Sequence, residues 1–249
     1  MNRYEFTKMQ GLGNDFVVIE GPAKPGSDEV VRLCDRRFGI GADGVLVVSP
    51  GTPIVMDYWN ADGSSAEMCG NGLRCVARYA FDKGWVDSSE FEVDTPVGVR
   101  IARVGEHLVE VEIGPALIEG TETIDGASYR LVDTGNPHAV RVVDDLESID
   151  LRRIGPLVAA EAGFDAGCNV ELITLGDDEV TMRVWERGVG ETLACGTGMV
   201  AAAVVALDGA DGMIRVNVPG GVGQVEIRDK VAWLTGPAEY VFTGVFGQG

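Results

Sequence analysis

The chain has 249 residues, of which 45% are hydrophobic, and its formal net charge is −19 at neutral pH. This length suits one large domain or two of ordinary size, and the strong acidity, with no basic stripe, excludes nucleic acid as a partner. The N-terminal residues contain no apolar run of signal-peptide length, and the longest apolar stretch, Met199 to Leu207, is too short to span a bilayer. We therefore expect no membrane association and a cytoplasmic location.

Short runs rich in β-branched residues predict the strands of the first half of the chain. These runs cover residues 16–19, 45–48, 54–59, 91–93, 97–104 and 108–113. A first helix is predicted to begin at Ser27, where Asp28 and Glu29 favour the positive end of a helix, and a second is predicted over 72–83. The polar stretch from Glu119 to Gly126 is predicted to be a linker.

The second half repeats this order of elements. Its predicted strands cover residues 138–143, 170–173, 180–185, 214–218, 222–227 and 231–234. The predicted helix at 198–207 is apolar on every face and must therefore be buried on every face. Strands that follow one another in hairpins exclude a Rossmann sheet. The sequence predicts an α/β (α+β) fold of two pseudo-symmetric halves, each a curved, mainly antiparallel sheet wrapped around a central helix.

The two halves carry matching cysteine motifs, which indicates an internal duplication. Cys69–Gly70–Asn71–Gly72 and Cys195–Gly196–Thr197–Gly198 are 126 positions apart, and Trp59 and Trp185 precede them at the same offset. We place the first half at residues 1–118 and the second at 119–237. An active site is predicted in the cleft between them.

Each of these two cysteines precedes a predicted helix start. Unpaired backbone amides at a helix N-terminus favour a thiolate and also bind a carboxylate. Two thiols on matched scaffolds suit inversion of an amino-acid α-carbon, with one thiolate removing the proton and the other thiol returning one. The lysines of the chain lie in no recognisable pyridoxal context, so no cofactor is expected.

The other cysteines are predicted to be structural. The chain has five cysteines, and Cys34, Cys75 and Cys168 lie in apolar or strand contexts. An odd number of thiols in an intracellular chain indicates reduced cysteines. The spacing of cysteine and histidine does not fit a structural zinc site, so no metal is expected.

Several motifs together resemble those of the diaminopimelate epimerase family, from Lys8 to Gly244. They are Gly11–Leu12–Gly13–Asn14–Asp15–Phe16, Asn60–Ala61–Asp62–Gly63–Ser64, Met68 to Cys75, Gly135–Asn136–Pro137–His138, and Glu186 to Gly198. The resemblance implies a cofactor-independent isomerase that interconverts LL- and meso-diaminopimelate in lysine and peptidoglycan synthesis. It also implies that the last strand, at about 238–249, joins the first half.

The resemblance further implies the roles of individual residues. Cys69 and Cys195 are the base and acid pair, while Glu186 takes an ammonium group and, with His138, influences the cysteine pKa values. The backbone of Gly70, Asn71, Gly196 and Thr197 holds the carboxylate at the reacting centre. The distal carboxylate is held by Asn60, Asn169 and Arg187, and Asn14 and Asn136 complete the polar lining.

The chain departs from the family pattern at two positions. Gly44 stands where some members have a glutamine in the substrate pocket. Phe242 stands where a tyrosine is linked to dimer contacts near the C-terminus. The resemblance still implies a homodimer that acts on a small-molecule substrate.

Two other functions fit part of this pattern. A proline or hydroxyproline racemase would use paired thiols in a similar fold, but those enzymes usually have histidine where this chain has Asn71, and they lack the Glu186–Arg187 pair. A thiol redox switch would use the same two cysteines to form a reversible disulfide. Substrate turnover and exchange of the substrate α-proton with solvent distinguish these functions.

Overall fold

The computed structural model describes residues 2–65 and 69–247. It contains two compact units, Met1–Val111 with Pro237–Gly249 (unit 1) and Glu112–Gly236 (unit 2). Ala66, Glu67 and Met68, which precede Cys69 in the first motif, lie outside the described residues, as do the last two residues of the predicted C-terminal strand.

Strands and helices follow one another in nearly the same order in both parts of the chain, and the second part has one additional short strand, Gly190–Thr192. The elements are β1 (Tyr4–Gly11), β2 (Asn14–Glu20), α1 (Ser27–Cys34), β3 (Gly44–Ser49), β4 (Ile54–Asn60), α2 (Gly70–Asp82), β5 (Glu90–Thr95), β6 (Gly98–Val104), β7 (Leu108–Pro115), β8 (Leu117–Ile124), β9 (Ala127–Asp133), β10 (Pro137–Val142), α3 (Leu151–Glu161), β11 (Asn169–Leu175), β12 (Glu179–Glu186), β13 (Gly190–Thr192), α4 (Gly196–Ala206), β14 (Gly212–Val218), β15 (Gly221–Arg228), β16 (Val231–Pro237) and β17 (Glu239–Phe246).

In unit 1 the sheet begins with the C-terminal strand. β17 pairs antiparallel with β1, which pairs antiparallel with β2. β2 then pairs parallel with β3, β3 antiparallel with β4, and β4 parallel with β5. The antiparallel strands β5, β6 and β7 complete the series. Helices α1 and α2 supply the crossovers that these two parallel pairs need.

Unit 2 repeats this pattern of pairing. β8, β9 and β10 are antiparallel, β10 pairs parallel with β11, and β11 pairs antiparallel with β12. β12 pairs parallel with β14, and the antiparallel strands β15 and β16 follow. The same succession of parallel and antiparallel pairs confirms the duplicated fold that the sequence predicts.

One helix lies at the centre of each sheet. α2 packs against β1, β2, β3, β4 and β6, and α4 packs against strands from β8 to β15. A helix that contacts so many strands has the sheet curved around it, as predicted. The apolar residues of α4 from Met199 to Val205 are all buried, which follows from the absence of a polar face.

Two sequence-based expectations need correction. Both central helices begin two residues earlier than predicted, at Gly70 and Gly196, so each cysteine directly caps its helix. The predicted linker from Glu119 to Gly126 is instead most of β8 and a tight turn into β9. Asp125 and Gly126 both have positive φ, the conformation of a type I′ hairpin turn, and the Asp–Gly pair was the signal for it. A polar sequence suits β8 because most of the strand is exposed.

No helix among the described residues is long and apolar enough to cross a membrane.

Candidate active site

Both cysteines of the repeated motif are the N-caps of the central helices. Cys69 and Cys195 have extended backbone conformations, and each sulfur accepts a hydrogen bond from an amide three residues later. The Sγ–N distances are 3.3 Å to Gly72 and 3.4 Å to Gly198. Each sulfur thus occupies the position that a serine or aspartate oxygen has in an ordinary cap, at the positive end of the helix.

The first turns of both helices present backbone amides that have no partner within the helix. In unit 1 these belong to Gly70 and Asn71, and in unit 2 to Gly196 and Thr197. The four residues are buried, so a bound anion would interact with these amides in an environment of low polarity. This arrangement supports the predicted role of the four residues at a carboxylate.

Asparagine side chains surround the sulfur of Cys69. The Cys69 thiol donates to Asn14 Oδ1 at 3.6 Å, and Asn71 Nδ2 donates to the same oxygen at 3.2 Å. Asn14 Nδ2 in turn donates to Asp43 Oδ2 at 2.8 Å. The structure therefore brings the predicted residues Asn14 and Asn71 together with Cys69, and it adds Asp43 as the group that orients Asn14.

A network of charges fixes Asp43. Arg36 lies 2.7 Å from a carboxylate oxygen of Asp43 and also 2.7 Å from one of Asp15. The Lys8 ammonium lies 2.7 Å from the other oxygen of Asp15 and donates to the Gly41 carbonyl. Burial acts to raise the pKa of Asp15, but hydrogen bonds from Arg36 and Lys8 outweigh it and leave this pKa below its usual range. Asp15 is therefore ionised at neutral pH and stabilises the start of β2, where Asn14 lies.

Cys195 is more deeply buried than Cys69, and two carboxylates lie near its sulfur. The Cys195 residue is 6% exposed, and its sulfur lies 3.4 Å from the Thr197 hydroxyl. Burial raises the pKa of Cys195 well above its ordinary value, and the nearby carboxylates of Glu186 and Glu171 raise it further. Cys195 is thus a neutral thiol at neutral pH, the form that an acid requires.

His138 belongs to a polar chain in unit 2 in which the His138 and Glu171 side chains are fully buried. Its Nδ1 lies 2.7 Å from Glu171 Oε1, and its Nε2 lies 3.1 Å from Asn136 Oδ1. The Thr134 hydroxyl donates to the same Asn136 oxygen at 3.0 Å. The structure therefore brings His138 and Asn136 together, as their predicted place in one site requires.

The residues predicted to hold the distal carboxylate form two local clusters. In unit 2 the Arg187 amide donates to Asn169 Oδ1 at 2.9 Å, and the exposed guanidinium donates to the carbonyls of Ala166 and Gly167. Glu186, adjacent in sequence, accepts a hydrogen bond from the Thr192 hydroxyl. In unit 1, Asn60 Nδ2 donates to Ser64 Oγ at 3.1 Å. Arg187 therefore has its backbone fixed while part of its guanidinium remains accessible to a ligand.

Gly44 is constrained by close contacts. A Cβ atom at this position would lie 2.5 Å from the Trp59 carbonyl oxygen and 2.6 Å from the Tyr58 ring. Tyr58 therefore fills the space into which a longer residue 44 would project. This explains in steric terms why glycine stands at this position.

Sequence reasoning missed two buried charged residues beside the cysteine helices. Arg74 in α2 and Glu171 in β11 are both 0% exposed. Each is a charged residue in an otherwise apolar segment, a pattern that does not by itself show whether the side chain is buried. A comparison of the two halves would have shown an apolar residue at the matching position, since Val200 corresponds to Arg74 at the offset of 126.

One cavity in unit 2 lies apart from the predicted site residues. A cavity of about 290 Å³ in unit 2 is lined by residues including Asp125, Arg141 and Arg153, and none of the predicted site residues lines it. Within residues 2–65 and 69–247, no group of three or more histidine, cysteine or acidic side chains is arranged to hold a metal ion.

Known structures with a similar fold cover nearly all of the chain. A phenazine biosynthesis protein of the PhzF family from Bacillus anthracis matches with a TM-score of 0.77 at 14% identity, over 100% of both chains. A hydroxyproline epimerase from Agrobacterium vitis matches with a TM-score of 0.77 at 13% identity, over 99% of this chain and 91% of that one. At such low identities these likenesses show the fold alone.

Sequence relatives are much closer. A diaminopimelate epimerase of Corynebacterium aurimucosum is 43% identical over 273 residues, covering 96% of this chain and 98% of the relative. That of Desulfitobacterium hafniense is 41% identical over 275 residues, covering 97% of each. The family profile described as diaminopimelate epimerase matches residues 6–118 and 130–241. The chain therefore belongs to the diaminopimelate epimerase family.

Proposed function

We propose that this isomerase inverts one α-carbon of LL-2,6-diaminopimelate to give the meso form, without a cofactor. The observation that carries the proposal is the pair of cysteine N-caps at matched helices in a chain of this family. The reaction belongs to lysine and peptidoglycan biosynthesis. Its substrate is a small zwitterion, which the acidic chain binds through local groups.

The proton transfer needs both sulfur atoms on opposite faces of one carbon. One thiolate takes the α-proton, and the electron pair of the broken C–H bond moves into the carboxylate to give an enolate-like intermediate. The second thiol donates its proton to the other face, which re-forms a C–H bond of inverted configuration. The thiolate and the thiol exchange roles in the reverse direction, so protons and charge balance without a redox partner.

Helix ends supply the stabilisation that a pyridoxal ring would otherwise give. The α-proton of an amino acid is weakly acidic, so the barrier falls only if charge on the carboxylate is stabilised as it develops. The amides of Gly70 and Asn71 and those of Gly196 and Thr197 are the donors that we assign to this task. Their buried positions support the assignment because hydrogen bonds to charge are stronger where water is excluded.

Three polar side chains are assigned to the distal end of the substrate. Arg187 would hold the distal carboxylate, since a guanidinium binds a carboxylate with two parallel hydrogen bonds. Asn169 fixes the Arg187 backbone, and Asn60 is oriented by Ser64. Glu186 would accept the distal ammonium group, and His138 and Asn14 complete the lining with Asn136. A substrate with only one carboxylate would leave Arg187 without a partner.

A homodimer is the oligomeric state that we infer for the chain. Strand β17 exposes four apolar side chains by about half, those of Tyr240, Val241, Phe242 and Val245. Exposed apolar side chains along one strand are typical of an interface with another chain. Sedimentation velocity should give the mass of a dimer, and Phe242→Asp should shift it towards the monomer.

Substrate turnover tests the proposed function. The purified protein, supplied separately with LL-diaminopimelate, L-proline and trans-4-hydroxy-L-proline, should convert only the first, as measured by chiral chromatography. Turnover of either cyclic amino acid without that of LL-diaminopimelate would assign the chain to racemases of the proline type. No turnover of any of the three would favour a thiol redox function.

A further inference from the structure

Arg74 is a buried cation in the first cysteine helix. It lies five residues after Cys69 and is 0% exposed. Its Nε donates to the Pro237 carbonyl at 3.1 Å, while Nη1 and Nη2 have no hydrogen-bond partner among the described residues. A buried guanidinium without a carboxylate costs free energy, so its presence calls for a second role.

The guanidinium lies beside the first turn of α2. Arg74 Nη2 is 2.9 Å from the point where a Cβ of Gly11 would be, and the Asn71 carbonyl oxygen is 3.6 Å from the same point. Side chains on a helix lean towards its N-terminus, which carries the Arg74 charge back towards Cys69. Only a residue without a side chain at position 11 leaves room for the guanidinium.

The Arg74 charge interacts with two thiols, and burial keeps one of them neutral. Charge interactions with Cys75 and Cys69 act to raise the Arg74 pKa, although burial lowers this pKa to about 10. Arg74 is therefore still a cation at neutral pH. Burial raises the pKa of Cys75 to about 12, so Cys75 stays a neutral thiol. Cys69 is partly exposed and receives the Gly72 amide, so it is the thiol on which the charge can act.

Unit 2 has the opposite charge at its cysteine helix. A Cβ on Gly198 would lie 2.7 Å from Glu171 Oε1, whereas a Cβ on the matching Gly72 would lie 3.2 Å from Leu46 Cδ2. Glu171 thus occupies in unit 2 the place of Leu46 in unit 1, since their strand partners Val184 and Tyr58 are 126 positions apart. Val200 occupies the place of Arg74 at the same offset. The two cysteine helices therefore begin with the same backbone arrangement but lie beside buried charges of opposite sign.

We propose that Arg74 and Glu171 are positioning residues that fix which thiol is ionised before substrate binds. Arg74 stabilises the thiolate of Cys69, and Glu171 keeps Cys195 as the neutral thiol. Cys69 is then the resting base and Cys195 the resting acid. This inference rests on the proposed two-thiol reaction, but it concerns the free protein and is measured without substrate.

Other polar and charged groups also face the two sulfurs, and some of them act against this assignment without reversing the raised pKa of Cys195. Around Cys69, the Asn14 carbonyl oxygen accepts only a long hydrogen bond from the neutral thiol, and thiols are weak donors. Behind Asn14, Asp43 and Asp15 are compensated by Arg36 and Lys8. Around Cys195, Glu186 from β12 adds a second carboxylate, and Thr197 and Gly198 offer hydrogen bonds that act against it. His138 from β10 binds Glu171 and offsets part of the Glu171 charge.

Alkylation of the unchanged protein gives the first test. Iodoacetamide labelling from pH 5 to pH 10, quenched at short times and mapped by mass spectrometry, yields a rate-against-pH midpoint for each thiol. The midpoint reports ionisation and does not depend on how accessible the sulfur is. We expect the Cys69 midpoint to lie at least about one pH unit below that of Cys195, a tenfold difference in thiolate fraction. A Cys195 midpoint at or below that of Cys69 would overturn the proposal.

Substitutions of Arg74 give the second test. Arg74→Met and Arg74→Gln should each raise the Cys69 midpoint by about one pH unit and so slow labelling at pH values below the original midpoint by about tenfold. Arg74→Lys should restore a midpoint near that of the unchanged protein, because it keeps the charge. The matched control is Arg78→Met, which removes an arginine from the same helix but one bonded to the Gly105 carbonyl, and it should leave the midpoint in place.

Substitution of Glu171 tests the other half of the proposal. Glu171→Gln should lower the Cys195 midpoint by about 0.5 pH unit, whereas Glu179→Gln on the neighbouring β12 should not change it. A folded Arg74→Met protein with an unchanged Cys69 midpoint would contradict the role of Arg74. If neither neutral variant of Arg74 folds, the order of the two midpoints in the unchanged protein decides the matter. If the unchanged protein shows the expected midpoints but no epimerase activity, the proposed function is contradicted and this inference still stands.

Discussion

His138 Nδ1 lies 2.7 Å from Glu171 Oε1 in the interior of unit 2, and neither side chain has exposed surface. In unit 1, Phe16 and Leu46 stand at the corresponding positions, and both are buried. This hydrogen-bonded pair therefore replaces part of an apolar core with polar groups. Removing one partner of such a buried pair strongly lowers the free energy of unfolding, whereas replacing both partners with apolar residues is often tolerated.

A double-mutant cycle on this pair should show strong coupling. His138→Phe alone leaves Glu171 buried without its partner and should lower the free energy of unfolding by about 3 kcal/mol. The double variant His138→Phe, Glu171→Leu copies unit 1 and should recover most of that loss. Urea denaturation of the two single variants and the double variant measures the coupling. Additive losses in the double variant would show that the two side chains do not act as a pair.

Gly44 should tolerate no side chain. The Gly44→Ala methyl group would lie 2.5 Å from the Trp59 carbonyl oxygen, which belongs to the paired strand and cannot rotate away. We expect a loss of about 1–3 kcal/mol in the free energy of unfolding, measured by urea denaturation. Gly120→Ala in β8 is the control, because no atom lies within 4 Å of the new methyl group there. Equal stabilities for the two variants would contradict the steric account.

Asp15 should contribute to the acid sensitivity of unit 1. Its folded-state pKa lies below the ordinary value of 3.8, so its ionisation stabilises the folded state above that pH. This contribution is lost as the pH falls below about 4 and through the lower folded-state pKa. Asp15→Asn should lower the melting temperature at pH 7, and the difference from the unchanged protein should shrink as the pH falls below 4. The exposed Asp87→Asn is the control, and a constant difference at every pH would argue against the role of Asp15.

Arg187 should act mainly in substrate binding. Arg187→Met removes the group assigned to the distal carboxylate, and we expect KM for LL-diaminopimelate to rise about tenfold or more. The KM of Arg187→Lys should lie between those of the unchanged protein and Arg187→Met, because lysine keeps the charge without the paired hydrogen bonds. Initial-rate kinetics separate KM from kcat. An unchanged KM in Arg187→Met would remove Arg187 from the substrate site.

Much of this fold could be predicted from the sequence because the duplication repeats each sequence pattern in both halves of the chain. The β-branched runs, the apolar helix at 198–207 and the paired cysteine motifs each recur at nearly constant offset, and the structure has elements at all of them. Helix starts were two residues late because Gly70 and Gly196 are poor helix formers whose caps depend on the cysteine sulfurs. The strand β8 was missed because an exposed strand has no apolar pattern to detect.

The site could be predicted only in part, because tertiary packing decides which side chains face it. Of the residues that the sequence analysis placed near Cys69, Asn14 accepts a hydrogen bond from its thiol, and Asn71 donates to Asn14. Arg74 and Glu171 were not named, because a charge in an apolar segment has no local signature that tells whether it faces inward. Tyr58 limits the space at Gly44 through a contact between two paired strands, which no local sequence pattern predicts.

Exchange of the substrate α-proton with solvent tests the central claim most directly. The protein is incubated with LL-diaminopimelate in heavy water, and deuterium at the α-carbons is followed by nuclear magnetic resonance alongside inversion. The unchanged protein should place deuterium at the inverted centre, and Cys69→Ser and Cys195→Ser should each slow inversion by at least about a hundredfold. Inversion at the full rate in both single variants would contradict a reaction carried by two thiols.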